Sequence, residues 1–134
     1  MNKEFEKSIE DLRKFSSIIG NNLELIQGAG GNTSLKENNI LWIKASGSWL
    51  SDAKINNIFV PVECNEVYKS IEIGDLSAIP IKESISNNKD LKPSIETAFH
   101  ALMPHKVVFH AHALNSLSVA ILLNGKEYLQ QFLH

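Results

Sequence analysis

A short apolar run at residues 106–112, KVVFHAH, follows the break made by Pro104 and predicts a buried β-strand. Because strand side chains alternate between two faces, His110 and His112 point the same way, about 6–7 Å apart. Neutral imidazole is the usual nitrogen ligand of zinc, so the pair can converge on one cation. The alternative is two polar residues where a strand leaves the core, since a catalytic zinc site needs three protein ligands and a structural site needs four.

The composition limits both the size of the fold and the class of partner. The 134 residues are 43% hydrophobic, which is enough for one core and one domain. A net charge of -2 gives no basic field for nucleic acid or an anionic membrane, so we expect a small-molecule ligand. Cys64 is the single cysteine, which excludes an intrachain disulfide and a cysteine-based metal cluster and favours a reducing, cytoplasmic setting. No apolar window of about 18 residues and no signal-peptide core occur, so we expect neither a membrane span nor export.

Helical and strand patterns alternate along the chain and predict an α/β fold. Apolar residues at spacings of three and four predict an amphipathic helix at residues 3–19. Pro61 lacks an N–H group, which places its strand at a sheet edge. The other expected elements are strands at 23–26, 34–36, 40–45 and 58–62, helices at 65–72, 94–103, 115–123 and 126–134 with Gly125 as a helix stop, and a surface excursion at 73–90.

Two loops of small residues follow or precede predicted strands. The turn at residues 27–34, QGAGGNTS, has no G-K-[ST] sequence, carries Thr33 where G-x-G-x-x-G ends in glycine, and leads into a strand. Its backbone N–H groups can still form an anion-binding nest, with Asn32 and Ser34 as side-chain donors. The loop at residues 44–50, KASGSWL, lies at a neighbouring strand end, where both loops can share one phosphate. Each loop taken alone is more simply explained as an ordinary tight turn.

The segment before the histidine strand carries a carboxylate. Ser94 is the expected N-cap of a helix, and Glu96 lies in its first turn, where the helix dipole alone favours an acidic residue. The connection to His110 is short, so Glu96 and His110 belong to one unit. For His100 on the helix and His105 in the following turn we expect structural or surface roles.

Four motifs in order carry a resemblance to a known family. Residues 31–34 (GNTS), 44–47 (KASG), 93–96 (PSIE) and 110–112 (HAH) resemble the signature of the class II aldolase/adducin family. The sequence around these motifs is most similar to that of the sugar-phosphate aldolase domains that are often fused to a short-chain dehydrogenase. The resemblance implies a three-layer α/β/α sandwich around a mostly antiparallel or mixed sheet.

The resemblance also implies a function and its residues. It assigns zinc to His110 and His112 and proton transfer to Glu96. The implied activity is reversible aldol cleavage of a small phosphorylated sugar through a zinc-stabilised enediolate, in a homo-oligomer. The residues implied for the substrate phosphate are Gly31, Asn32, Ser46, Gly47 and Ser94.

Two departures from the family pattern leave alternatives open. Ile95 stands where some members have a second serine, which weakens the phosphate site. The family supplies a third zinc-binding histidine from a later strand, and His134 comes too soon after His112 to be its equivalent. We therefore interpret residues 1–134 as one domain that lacks the C-terminal part of the family domain, and as either a truncated aldolase or an adducin-like, non-catalytic binding or assembly domain.

Overall fold

Four antiparallel strands form the centre of the fold. A computed structural model describes residues 3–77 and 91–131. Besides the strands, the described residues form five α-helices and one short 3-10 helix. In chain order the elements are α1 (Lys3–Gly20), β1 (Asn32–Glu37), β2 (Ile40–Lys44), the 3-10 helix (Leu50–Lys54), β3 (Phe59–Glu63), α2 (Cys64–Glu72), α3 (Thr97–Leu102), β4 (Val107–His110), α4 (Leu114–Ala120) and α5 (Gly125–Gln130).

The sheet has the strand order β3-β2-β1-β4, and every neighbouring pair is antiparallel. Pro61 lies on the edge strand β3 opposite Trp42 of β2, as expected for a residue that cannot donate to a ladder. On the other side of the sheet, Asn32 at the start of β1 lies opposite His110 at the end of β4. This register brings the glycine-rich turn before β1 next to the histidines at the end of β4.

Side-chain alternation along the strands produces three layers. Leu35 faces the cluster that includes Leu12 and Ile19 of α1, whereas Leu41 and Ile43 face the opposite side. The second cluster is completed by side chains from β3, α2 and α3, namely Val62, Cys64, Val67, Ala98 and Ala101. The α/β class, the three-layer arrangement and the antiparallel sheet predicted from the sequence are therefore confirmed.

Buried hydroxyl groups on β1 tie the sheet to both helical layers. On one face, Ser16 Oγ of α1 lies 2.7 Å from Thr33 Oγ1. On the other face, Ser34 Oγ lies 2.7 Å from Nδ1 of His100 on α3. All four side chains are fully buried, so these bonds satisfy polar groups that would otherwise destabilise the core. The expected role of Ser34 as a ligand donor is wrong, because its hydroxyl is turned into the core.

The strand expected at residues 23–26 is wrong. Ile26 N donates to Asn22 O over 2.9 Å, and Asn22 Oδ1 accepts a bond from Glu24 N over 2.9 Å. The asparagine side chain therefore closes a turn after α1 and prevents an extended segment. Ile26 still enters the core, being 1% exposed.

The helix expected from Ser94 begins three residues later, at Thr97. Its N-cap is Glu96 and not Ser94. Ser94 lies in the preceding turn, where its Oγ accepts a bond from Glu96 N over 3.2 Å and its O accepts one from Thr97 N over 3.1 Å. The preceding Pro93 forms an isolated bridge with Ala45 next to β2. This bridge keeps the backbone extended up to Ser94, so a turn carrying Glu96 comes before the helix.

The C-terminal elements are shorter than predicted. Strand β4 ends at His110, so His112 lies in the segment just after it. Helix α4 ends at Ala120, and Gly125 begins α5 instead of stopping a helix, because Gly125 N donates to Leu122 O in the connecting turn. Most of the expected surface excursion, residues 78–90, and the end of the last expected helix, residues 132–134, lie outside the described residues. Within the described ranges, no helix is both long and apolar enough to cross a membrane.

Candidate metal centre

Two imidazoles and one carboxylate converge at the end of β4. One potential ligand atom from each of Glu96, His110 and His112 lies within 4.8 Å of the other two. The two imidazole ring centroids are 5.0 Å apart, and His110 Nδ1 lies 2.9 Å from Glu96 Oε1. Each of the three residues is partly exposed. The predicted convergence of the histidines, and the predicted proximity of Glu96, are both seen in the structure.

Backbone contacts hold the two histidines in this position. His110 is fixed by pairing with Asn32 in the β1–β4 ladder. His112 lies beyond the ladder, and its backbone N–H donates instead to Leu25 O over 2.9 Å. The turn that follows α1, and not the strand, therefore positions the imidazole of His112.

Opposing influences set the pKa of Glu96, and burial is the largest single one. Burial raises the pKa of this carboxyl, but hydrogen bonds from His110 and Asn32 and the nearby His110 and His100 rings outweigh burial, so the pKa lies below its ordinary value. Asn32 Nδ2 donates to Oε2 of Glu96.

Lys44 connects the two small-residue loops and was not predicted as a site residue. Its Nζ donates to Ala29 O over 2.9 Å and to Ser48 O over 2.7 Å. The residue is 2% exposed; burial lowers its pKa, and the charge of Glu96 partly opposes this effect. The sequence indicates this role only through a lysine at the end of an apolar strand, directly before Ala45-Ser46-Gly47. The contact of Lys44 with the first loop depends on the tertiary fold.

The residues implied for phosphate binding lie around this connection. Gly31 and Gly47 have φ angles of +67° and +76°, which glycine adopts without strain. Ser46 is exposed, and its backbone N–H donates to Lys92 O over 2.9 Å, so the second loop adjoins the segment leading to Ser94. Ser94 is buried and Asn32 is 5% exposed, with Oδ1 of Asn32 lacking a hydrogen-bond partner within the described residues.

His100 and His105 differ sharply in environment. His105 is exposed in the bend after α3. His100 is fully buried, and burial lowers its pKa from 6.5 to about 4, so the ring is neutral at physiological pH. Its Nδ1 pairs with Ser34, which supports the structural role expected from the sequence.

Comparisons with known proteins agree with this geometry. Residues 11–134 match the family model described as the Class II Aldolase and Adducin N-terminal domain. The chain belongs to this family. The solved structure of the N-terminal class II aldolase domain of a conserved protein from Thermoplasma acidophilum superposes with a TM-score of 0.71 at 28% sequence identity, covering 94% of this chain and 64% of that one.

A curated relative extends the comparison to a much longer protein. The uncharacterized oxidoreductase YuxG of Bacillus subtilis (strain 168) is 31% identical over 134 residues, which is 90% of this chain and 19% of that protein. The chain thus spans about a fifth of this curated relative and less than two thirds of the solved domain.

The donor set of this class II aldolase-family chain suits a divalent metal. Two imidazole nitrogens and one glutamate oxygen are a combination found in catalytic zinc sites, which keep the fourth position open. Ligand atoms in a tetrahedral zinc site with bonds of about 2.1 Å lie about 3.4 Å apart. Here the three atoms lie within 4.8 Å of one another, so the three side chains have to move closer together to bind one zinc ion.

Proposed function

We propose that this chain is a zinc-dependent class II aldolase-type domain that acts reversibly on a small phosphorylated sugar. The observation that carries the proposal is the convergence of Glu96, His110 and His112 beside two loops of small residues. Family membership supports the same reaction class. A bound zinc ion would supply a Lewis acid for the negative charge that develops when the carbon–carbon bond breaks.

The proposed metal ligands are His110 and His112, with Glu96 as a third donor or as the proton-transfer group. The lowered pKa of Glu96 keeps it ionised at neutral pH, so it can accept a proton from a substrate hydroxyl. A hydrogen bond from Asn32 and the close contact with His110 hold the carboxylate in one direction. This geometry supports a base that is oriented before substrate arrives.

The proposed phosphate site uses both loops. Gly31 and Gly47 offer backbone N–H groups and Ser46 offers its hydroxyl, while Lys44 holds the loops together and adds a buried positive charge. Asn32 has one amide proton engaged with Glu96, so its second amide proton is available to an anion. Ser94 lies in the adjoining turn, where its hydroxyl proton can point toward the same region.

Further parts of the proposal rest on composition and family. We propose a homo-oligomer in the cytoplasm, with residues 1–134 belonging to one domain. We propose no redox activity from the name of the Bacillus subtilis oxidoreductase, because this chain spans 19% of that protein.

Calorimetric titration with zinc tests the metal site directly. We expect one zinc ion per chain, bound less tightly than by a three-histidine site, with the affinity at least about tenfold lower for His110→Ala or His112→Ala. His105→Ala is the matched control, because His105 is exposed and lies outside the cluster. Absence of zinc binding, or an equal loss in the control, would overturn the metal site.

Aldol cleavage tests the reaction. Zinc-loaded protein is assayed with a panel of phosphorylated ketoses and with the same sugars lacking phosphate, by coupled detection of the released aldehyde. Cleavage confined to phosphorylated sugars supports the proposal. Zinc binding without cleavage of any of them would instead favour the adducin-like, non-catalytic alternative.

A further inference from the structure

Gly30 lies directly against the second histidine of the cluster. A Cβ atom added at Gly30 would lie 2.8 Å from Nδ1 and 3.2 Å from Cε1 of His112. Cβ atoms essentially never lie within 3.0 Å of heavy atoms outside their own and adjacent residues, so any side chain at Gly30 forces the imidazole to move. The ring therefore occupies space that only glycine leaves open.

The requirement at Gly30 is spatial and not conformational. Gly28 and Gly31 have φ angles of +56° and +67°, in the left-handed region that L side chains rarely adopt. Gly30 is not among the residues with positive φ. An alanine at position 30 would thus fit the backbone angles but not the space beside the ring.

The backbone of His112 is held in place. The backbone N–H of His112 is bonded to Leu25 O, and Gly31 packs so closely that a Cβ there would lie 2.8 Å from His110 O. Gly30 itself is held by donating to Gln27 O over 3.0 Å. Because both backbones are held, a displaced imidazole must rotate about its own side-chain bonds, which changes its position relative to Glu96 and His110.

We infer that Gly30 is a positioning residue: its missing side chain forms the surface against which the His112 imidazole is oriented toward Glu96 and His110. The inference rests on the proposed metal site and deepens it. The glycine-rich turn would then position a metal ligand in addition to its proposed role in binding phosphate.

The first test compares zinc affinity in two glycine variants. Gly30→Ala should weaken binding by about 10-fold to 100-fold, the range found when a group that orients a ligand is lost. Gly28→Ala is the matched control, because the nearest atom to its added Cβ is Trp49 at 4.0 Å while its φ is strained. It should lower the melting temperature and change the zinc affinity less than about threefold. Equal affinities for Gly30→Ala and wild type would overturn the inference.

A double-mutant cycle tests the contact without metal. Gly30→Ala should destabilise the apo protein in urea unfolding, and that cost should largely disappear in a His112→Ala background, where no ring meets the added methyl group. If Gly30→Ala alone does not fold, recovery of folding in the double variant supports the inference. Two outcomes would overturn the inference: an equal loss of stability in both backgrounds, or a double variant that also fails to fold. Either would show that glycine is needed at position 30 because of Gln27 O, which lies 3.0 Å from the added Cβ, and not because of His112.

These readouts separate the inference from the proposed function. If wild type binds no zinc, the metal-site proposal fails, yet the apo cycle still reports whether Gly30 sets the position of His112. Imidazole NMR signals of apo protein give a second check, with the His112 resonances shifted by Gly30→Ala and those of His100 unchanged. His112 resonances that do not move would contradict the inference.

Discussion

His110 Nδ1 lies 2.9 Å from Oε1 of Glu96, so the end of β4 and the turn before α3 are joined at the candidate metal centre. Asn32 holds the other carboxylate oxygen from β1. Two separate strands therefore hold the carboxylate that the turn before α3 supplies. This arrangement assigns Glu96 an orientation that does not depend on a bound metal or substrate.

Replacing Glu96 by glutamine tests its role in proton transfer. Glu96→Gln keeps the size and much of the hydrogen bonding but removes the group that titrates. If Glu96 transfers the proton, turnover should fall by about 10²-fold to 10⁴-fold while zinc affinity changes little. Calorimetry and steady-state kinetics on the same preparations measure both quantities. A loss of zinc affinity as large as that of His110→Ala would show that Glu96 acts as a metal ligand, and unchanged turnover would exclude it as the base.

Burial of His100 predicts a loss of stability in mild acid. Its folded-state pKa of about 4 lies below the ordinary 6.5, so the unfolded chain takes up the proton first as pH falls. Stability is complete above pH 6.5 and declines until pH 4, by roughly 3 kcal/mol at 1.36 kcal/mol per pH unit. Urea unfolding at several pH values should show this slope in wild type and in His105→Asn. In His100→Asn the slope over this range should be reduced, and an unchanged slope would contradict the assignment.

Much of the site followed from local sequence rules. Period-two alternation predicted that His110 and His112 lie on one side, although His112 is positioned by its bond to Leu25 O beyond the end of β4, and the short connection from Glu96 predicted the carboxylate beside them. The three layers followed from alternating helical and strand patterns together with the family resemblance. The histidine pair, the nearby carboxylate and the three layers could be predicted because they depend on the spacing of residues that are close in sequence, or on the order of motifs along the chain.

The features that were not predicted depend on contacts between distant segments. The KASG motif does not indicate that Lys44 bonds to Ala29 in another loop, and the glycine-rich turn does not indicate that His112 packs against Gly30.

The strand wrongly predicted at residues 23–26 has a different cause. There the side chain of Asn22 bonds to Glu24 N and closes a turn, overriding the apolar pattern.

Removing the amide of Asn32 should raise the pKa of Glu96. The bond from Asn32 Nδ2 stabilises the ionised carboxylate, so its loss in Asn32→Ala shifts the pKa upward, toward the value favoured by burial. The buried, unpaired Oδ1 disappears at the same time, so the net change in unfolding free energy should stay within about 1 kcal/mol. NMR titration of the carboxyl carbon measures the shift. Asn21→Ala, whose amide bonds to Ser17 O on the surface of α1, is the control that should leave this pKa in place.

Lys44 and Lys36 offer a matched pair for testing how the phosphate loops are held. Each is a strand lysine whose Nζ donates to two backbone carbonyls, but Lys44 joins Ala29 to Ser48 whereas Lys36 bonds Ala101 and Met103 at the end of α3. Replacing either by methionine leaves two carbonyls without their donor, so each variant should lose about 1–3 kcal/mol of unfolding free energy.

Anion affinity should separate the two variants. Lys44→Met removes the charge beside the loops and the bonds that keep them together, so inorganic phosphate should bind at least about tenfold more weakly and KM for a phosphorylated sugar should rise. Lys36→Met should leave both quantities close to wild type, because its carbonyl partners lie at the other end of α3. Phosphate titration followed by backbone amide NMR reports binding at Gly31, Ser46 and Gly47 directly. Equal weakening in the two variants would mean that lost stability, and not the connection between the loops, limits phosphate binding.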